Sequence, residues 1–314
     1  MPESFNTLAG LVQLNDKNLA DLGMSDVLDG APLLKIMAAQ TASNGTLHKY
    51  LKVTTNPTAA FRDALDGVAH TASADTLVTV ALKILDASFD TDVALAQAYK
   101  GGTDAWLQVE QARKLRAAFA AAEKQVFYGT GADAKGFAGI IDGSLHDALA
   151  DTMVVNAGGS NASTQTSCFL MRHATDGAAI IIGNNGLIKV EEPTIIQKAG
   201  TATGTFPAWY VAANGYLGFQ IGGAYDVARI ANIECNDLTS TSAFDDDDVA
   251  AALSKFPADK MPNVCVMNRN ALRLLRQSRS SYSPTGMPAP FPTEVFGIPI
   301  VVTDQIVSTE AVEV

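Results

Sequence analysis

The chain has 314 residues, with 47% hydrophobic and 18% charged side chains and a formal net charge of −11. That length supports a substantial core and one or two domains, and the acidic balance argues against nucleic-acid binding as the main activity, because phosphate contacts need clustered Lys and Arg. The charged share lies below the ~25% usual for a soluble domain, which fits a chain that hides part of its surface against other copies.

Residues 1–46 read as an arm with short helices, and Asp26 to Gln40 carries Val27, Leu28, Leu33, Leu34, Ile36 and Met37 around the breakers Gly30 and Pro32. The start of the chain has no basic region followed by an apolar run, so no signal peptide is read. Leu47 to Asn56 alternates as a strand ending before Pro57. Thr76 to Leu85 alternates more clearly, with Val78, Val80, Leu82 and Ile84 on one face. Between them, about twenty residues show little periodicity, and a loop of that length is expected to have a task. Two strands and a long polar tip predict a projecting hairpin over 47–85. Its tip, with Phe61, Arg62, Asp63 and Asp66, mixes charge and apolar surface in a way that suits contact with a neighbour.

Thr103 to Phe127 predicts a single long alanine-rich helix. Trp106, Val109, Ala112, Leu115, Phe119, Ala122 and Val126 step by three or four and form its apolar face, with Trp106, Val109, Leu115 and Phe119 as the expected core contacts. At about seven turns it is twice the usual helix, a strut more than a packing element. It runs into the glycines of Gly129-Thr130-Gly131 and Gly136-Phe137-Ala138-Gly139. Beyond them, 152–182 is mixed, with a buried-strand signal at Ala178–Ile182 and a turn at Asn184-Asn185-Gly186. Residues 186–233 are β-rich. Val249 to Phe256 and Asn268 to Gln277 read as helices, Val264–Met267 and Ile298–Val302 as strands, and Ser278 to Pro292 as a loop.

The residues that could suggest chemistry have structural roles instead. The glycine run follows a helix, whereas a phosphate-binding run follows a strand and opens a helix, so these glycines read as a C-cap. Asp245 to Asp248 directly precede a helical stretch, where acids cap free amides and meet the positive end of the macrodipole. His48, His70, His146 and His173 are scattered, none beside a Cys, which disfavours a zinc site. Cys168, Cys235 and Cys265 read as buried, reduced thiols. No G-x-S-x-G elbow is present. Catalytic, metal and cofactor residues are therefore expected to be absent, and no stretch reaches the ~20 apolar residues of a membrane span.

Four phrases, in order, carry a resemblance. They are Gln125-Val126-Phe127-Tyr128-Gly129-Thr130-Gly131 running on to Gly136-Phe137-Ala138-Gly139-Ile140; Tyr216-Leu217-Gly218-Phe219 through Arg229-Ile230-Ala231-Asn232-Ile233; Met267-Asn268-Arg269 before Leu272-Arg273-Leu274-Leu275-Arg276; and Phe296-Gly297-Ile298-Pro299-Ile300 with Asp304-Gln305-Ile306 and Thr309-Glu310-Ala311. Over residues 100–314 the chain resembles the major capsid proteins of tailed bacteriophages, with the Hong Kong 97-type fold. A Gly-Trp phrase often found ahead of the β segment is missing, and Met171 to Ile182 stands there.

The resemblance implies an α+β fold with an N-terminal arm over 1–46, an extended hairpin loop over 47–85, a peripheral domain from 86–127 and 186–233, and an axial domain from 128–185 and 234–314. The long helix becomes the spine helix of the peripheral domain. The implied function is structural: hexamers and pentamers closing an icosahedral shell around double-stranded DNA, assembled in the host cytoplasm and present in the virion. With about 45 residues ahead of the hairpin, a fused scaffolding domain is not expected; a separate scaffolding protein and a portal are. An encapsulin-like nanocompartment shares this fold and is the nearest alternative, and a cytosolic enzyme with an unrecognised site is a further one.

Overall fold

The structure is a computed structural model that describes residues 13–14, 27–55, 58–69, 72, 74–142, 146, 148–200, 204–235, 244–281 and 287–313. Most of the expected arm, part of the hairpin tip and part of the 278–292 loop lie outside the described residues.

Gly102–Tyr128 forms one helix of 27 residues. Ala, Leu, Gln, Glu, Lys and Arg dominate it and no Pro interrupts it, so propensity and pattern agree. It stops at Gly129, whose φ of +50° a glycine adopts without strain and whose amide returns to the Gln125 carbonyl. The buried face runs through Leu107, Gln111, Leu115, Phe119, Ala122 and Val126. This corrects the expected stripe at its first two turns, where Trp106 and Val109 are only half-buried. The Trp106 indole leans off the stripe, donating to Thr91 Oγ1 at 3.1 Å and packing on Tyr99 with ring centroids 5.2 Å apart.

Two six-stranded sheets build the body. The first runs Gln13–Leu14, Leu187–Val190, Ala213–Ile221, Ala178–Ile182, Ala39–Thr41, with Lys83–Asp86 also paired to Ala213–Ile221. The second runs Glu294–Val295, Ile298–Val302, Val264–Met267, Gln165–Met171, Val227–Glu234, Val154–Asn156. A three-stranded sheet of Thr194–Ala199, Thr205–Val211 and Phe89–Asp92 flanks the start of the long helix, and Leu47–Thr55 pairs with Ala74–Ala81 as a separate hairpin.

The second sheet separates two cores. Phe169, Met171, Val227, Val264 and Val266 point into the core that holds the long helix; Cys168, Leu170, Ala228, Ile230, Cys265 and Met267 point into the other, under the helices Asp246–Leu253 and Arg269–Ser281. A strand buried on both faces needs no polar alternation, so the continuous apolar run of Cys168–Met171 hides its period of two. The Phe127 and Phe169 rings, 5.1 Å apart, tie the end of the long helix to this sheet.

Three expectations change. Val27, Leu28, Leu33, Leu34 and Met37, assigned to an arm, lie within the first core, on the 3-10 turn Leu28–Gly30 and the short helix Pro32–Ile36. The sheets exchange chain at 172–177 and 222–226, not at the expected boundaries 185/186 and 233/234: Ala178–Ile182 belongs with the strands of the β-rich block, and Val227–Glu234 with the C-terminal strands. The crossing is tight enough that a Cβ at Gly222 would meet the Asp176 carbonyl at 1.8 Å, and such packing leaves no linker composition to read. Finally, the strand expected over Thr76 to Leu85 breaks at Leu82, whose amide donates to the Thr46 carbonyl before the chain changes partner. The change of partner leaves Ile84 exposed and Leu85 packed on the core.

Candidate assembly surface

The hairpin is anchored at its root and open at its end. Strand pairing sets His48, Tyr50, Val78 and Val80 on one face and Lys49, Leu51, Leu77 and Thr79 on the other. The inner face meets the first sheet: Tyr50 Oη donates to the Ile221 carbonyl at 2.9 Å, and His48 Nε2 lies 3.0 Å from Gln220 Oε1. His48 Nδ1 accepts the Ser43 amide, so the ring is a neutral donor–acceptor, and burial holds its pKa below the usual value. The outer face carries Leu51 directly opposite Leu77, both largely exposed. Reading one face of each strand misses this pair, because it sits at the intervening positions.

At the tip, Phe61 and Leu65 are fully exposed, and Arg62, Asp63 and Asp66 surround them. The tip is turned by local bonds: the Asp66 amide donates to the Asp63 carbonyl, Arg62 donates to the Asp66 carbonyl, and Leu65 sits at φ +70°. Two large apolar side chains, Phe61 and Leu65, are thus offered to solvent. Of the expected long-helix contacts, Leu115 and Phe119 are buried in the first core, whereas Trp106 and Val109 are half-buried.

The glycine junction is closed by the chain's own carboxylate. Asp142 accepts the Thr130 amide at 2.7 Å and the Thr130 hydroxyl at 3.0 Å, the place an anion would take. A Cβ at Gly139 would come within 2.4 Å of the Gly129 nitrogen, so the glycines serve backbone contact. Asp245 accepts the amides of Asp247 and Asp248 in a capping box, and Arg279 grips Asp246 through both Nε and Nη2. Burial lifts the Asp248 carboxyl to about 6. No group of three or more His, Cys, Asp or Glu suited to a metal occurs among the described residues. None of their helices is long and apolar enough to cross a membrane.

Two buried polar centres escaped the sequence reading. Arg229, wholly buried, donates to Ser167 Oγ, the His146 carbonyl and Glu310 Oε2, and pairs with Glu313 at 2.9 Å. Glu310 also accepts from Tyr128 and Ser167; burial still raises its pKa, and burial together with the Glu310 charge raises that of Tyr128. The second centre is Glu123, on the buried face of the long helix, which accepts the Leu33 and Leu34 amides and a hydrogen bond from Thr303. Burial, only partly offset by these donors, pushes its carboxyl to about 7. An Arg inside Val227–Ile230 and a Glu four residues after Phe119 are the sequence signals that mark both.

These centres stitch the first and last segments of the chain to the long helix and expose no reactive group. The hairpin, by contrast, presents Leu51, Phe61, Leu65 and Leu77 to the outside. A family model for the major capsid protein GP7 matches residues 26–314.

The chain belongs to the GP7 major capsid protein family. As a major capsid protein it is a structural subunit of a phage-type icosahedral shell. A solved structure of bacteriophage Epsilon15 shares the fold with a TM-score of 0.62 at 18% identity, covering 88% of this chain and 87% of that one. The capsid of bacteriophage JBD30 decorated with minor capsid protein trimers aligns with a TM-score of 0.51 at 12% identity, covering 89% and 92%. The holo-SrpI encapsulin of Synechococcus elongatus PCC 7942 aligns at 0.42 and 10% identity over 67% and 90%. No curated protein matches the chain. The α+β architecture, with a long helix, two sheets and a projecting hairpin, is thus that of a capsid subunit.

Proposed function

We propose that this capsid protein assembles as hexamers and pentamers around double-stranded DNA, with the 47–81 hairpin reaching from one subunit onto the next. The observation that carries this reading is the hairpin's asymmetry: a root bonded to the first sheet and a tip whose Phe61 and Leu65 touch nothing in their own subunit's core. Each such side chain buried against a neighbour contributes ~1.5–3 kcal/mol, and closure under symmetry multiplies modest contacts. Phe61, Arg62, Asp63 and Asp66 are the assembly contacts, and the role is structural, not catalytic.

A separate scaffolding protein and a portal complete the set of partners, and assembly takes place in the host cytoplasm with no membrane involved. The net charge of −11 supports DNA as enclosed, non-specific cargo and not as a gripped ligand. Negative-stain microscopy of the expressed protein tests the assembly: rings of five or six or closed shells are expected, and a discrete small oligomer overturns it. Deleting Pro57–Asp75 is expected to leave the subunit folded and block shells. Uniform shells of normal size from this protein alone count against a scaffold, and a protein cargo in place of DNA points to a nanocompartment.

A further inference from the structure

The strand Thr194–Ala199 is an outer strand of the three-stranded sheet, and all six of its residues are exposed. Its inner side pairs with Thr205–Val211; among the described residues its outer side has no strand partner. Ile195 is 57% and Ile196 37% exposed, on opposite faces, so both sides of this edge are apolar. Such an edge is a template for another strand, and folded proteins usually guard it with a charge, a proline or a bulge. No proline lies within Thr194–Ala199, and its ladder with Thr205–Val211 runs without a register shift. The one charge is Lys198, and it is tied back across the sheet in an ion pair with Asp90. The guard is thus neutralised by the subunit itself.

We propose that this edge pairs antiparallel with the same strand of a second copy, about a two-fold axis centred on Ile196. An axis normal to the sheet keeps each side chain on its own face, so residues of like parity must oppose. In that register Ile196 meets Ile196, Ile195 meets Gln197 and Thr194 meets Lys198, so no like charges face each other. The second copy is the occupant because the protein assembles with itself, and a strand lacking repulsion against its own sequence is self-complementary. The inference rests on the shell reading for its setting, but it names a contact distinct from the hairpin tip.

The test is Ile196→Cys in the full chain, oxidised with diamide under assembly conditions and run on a non-reducing gel. The native Cys168, Cys235 and Cys265 are buried, so wild type supplies the blank. A covalent dimer is expected from Ile196→Cys and not from Ile195→Cys or Gln197→Cys, which face each other and not themselves. Ile196→Lys sets two charges face to face at an exposed position. It is expected to abolish the association while leaving the thermal midpoint of the unassembled subunit unchanged. No dimer from Ile196→Cys, or normal particles from Ile196→Lys, overturns the pairing, with another protein or another segment covering the strand instead. Microscopy of wild type reports the shell separately: without shells, a dimer band still supports the strand pairing and its absence still refutes it.

Discussion

The carboxylate of Glu123 accepts the amide of Leu33 at 2.9 Å across 90 positions of sequence. With the Leu34 amide and the Thr303 hydroxyl, one buried side chain in the long helix holds the start and the end of the described chain together. Among the described residues no cation is bonded to it. The nearby charges are paired elsewhere: Lys35 with Asp29 on the segment before the short helix, and Asp304 with Arg269 beside Thr303.

This site gives stability an unusual pH sign. The native carboxyl is lifted to about 7 from an ordinary 4.5, so the folded protein holds the proton more tightly than the unfolded chain between those values. Stability is then fullest below 4.5 and falls as pH rises through 7, by roughly 3 kcal/mol from this group. Denaturant melts of the unassembled protein at pH 5 and pH 8 check this. Glu123→Gln, which keeps the shape without the charge, is expected to remove most of the difference; an unchanged slope refutes it.

Arg229 presents the opposite case, a buried cation between Glu310 and Glu313. Replacing it with Met strands Glu310 among Tyr128 and Ser167 and costs about 3–5 kcal/mol. The residues after Thr303 lose their anchor, so limited proteolysis should cut the C-terminal tail of Arg229→Met first. Adding Glu310→Gln should recover part of the loss, because the uncompensated charge is gone.

At the hairpin tip, Phe61→Ser with Leu65→Ser should shift subunit stability by no more than ~0.5 kcal/mol, since neither side chain is buried. Particle yield in sedimentation is expected to collapse. Full yield would remove the tip from the assembly contacts.

Along the long helix, truncation costs should follow burial and not residue size. Phe119→Ala is expected to cost ~3–5 kcal/mol, and Leu115→Ala ~2–5 kcal/mol. Trp106→Ala should cost less than either, because its ring is half-buried and its indole bond to Thr91 is near the surface. Paired melts of the three variants rank them directly.

The junction glycines can be probed with Gly139→Ala, whose Cβ would fall 2.4 Å from the Gly129 nitrogen and 2.5 Å from the Gln125 carbonyl. Overpacking of this kind costs about 1–3 kcal/mol. Gly131→Ala, with open space around its Cβ, is the contrasting control and should melt with wild type.

Local patterns were legible in the residues alone. A long helix over 103–127, a helix behind the acids Asp245 to Asp248, strands at 178–182, 216–221 and 264–267 and the hairpin all follow from short-range rules of period, capping and turn chemistry, with several ends that the structure moves by a few residues. Phrases around Gly129, Arg229 and Met267 carried the family resemblance. What the tertiary structure decided was which face each pattern presents and to whom. Cys168–Met171 is apolar on both sides because two cores flank it, and Val27, Leu28, Leu33, Leu34 and Met37 lie inside because they pack in the core that holds the long helix. Leu107, not Trp106, begins the buried stripe because the indole turns to Thr91. The partners of Glu123 and Arg229 are set by segments 62 or more positions away. Sequence period reports the repeat of a single element, whereas burial depends on what distant segments pack against it, and only the assembled fold brings those segments together.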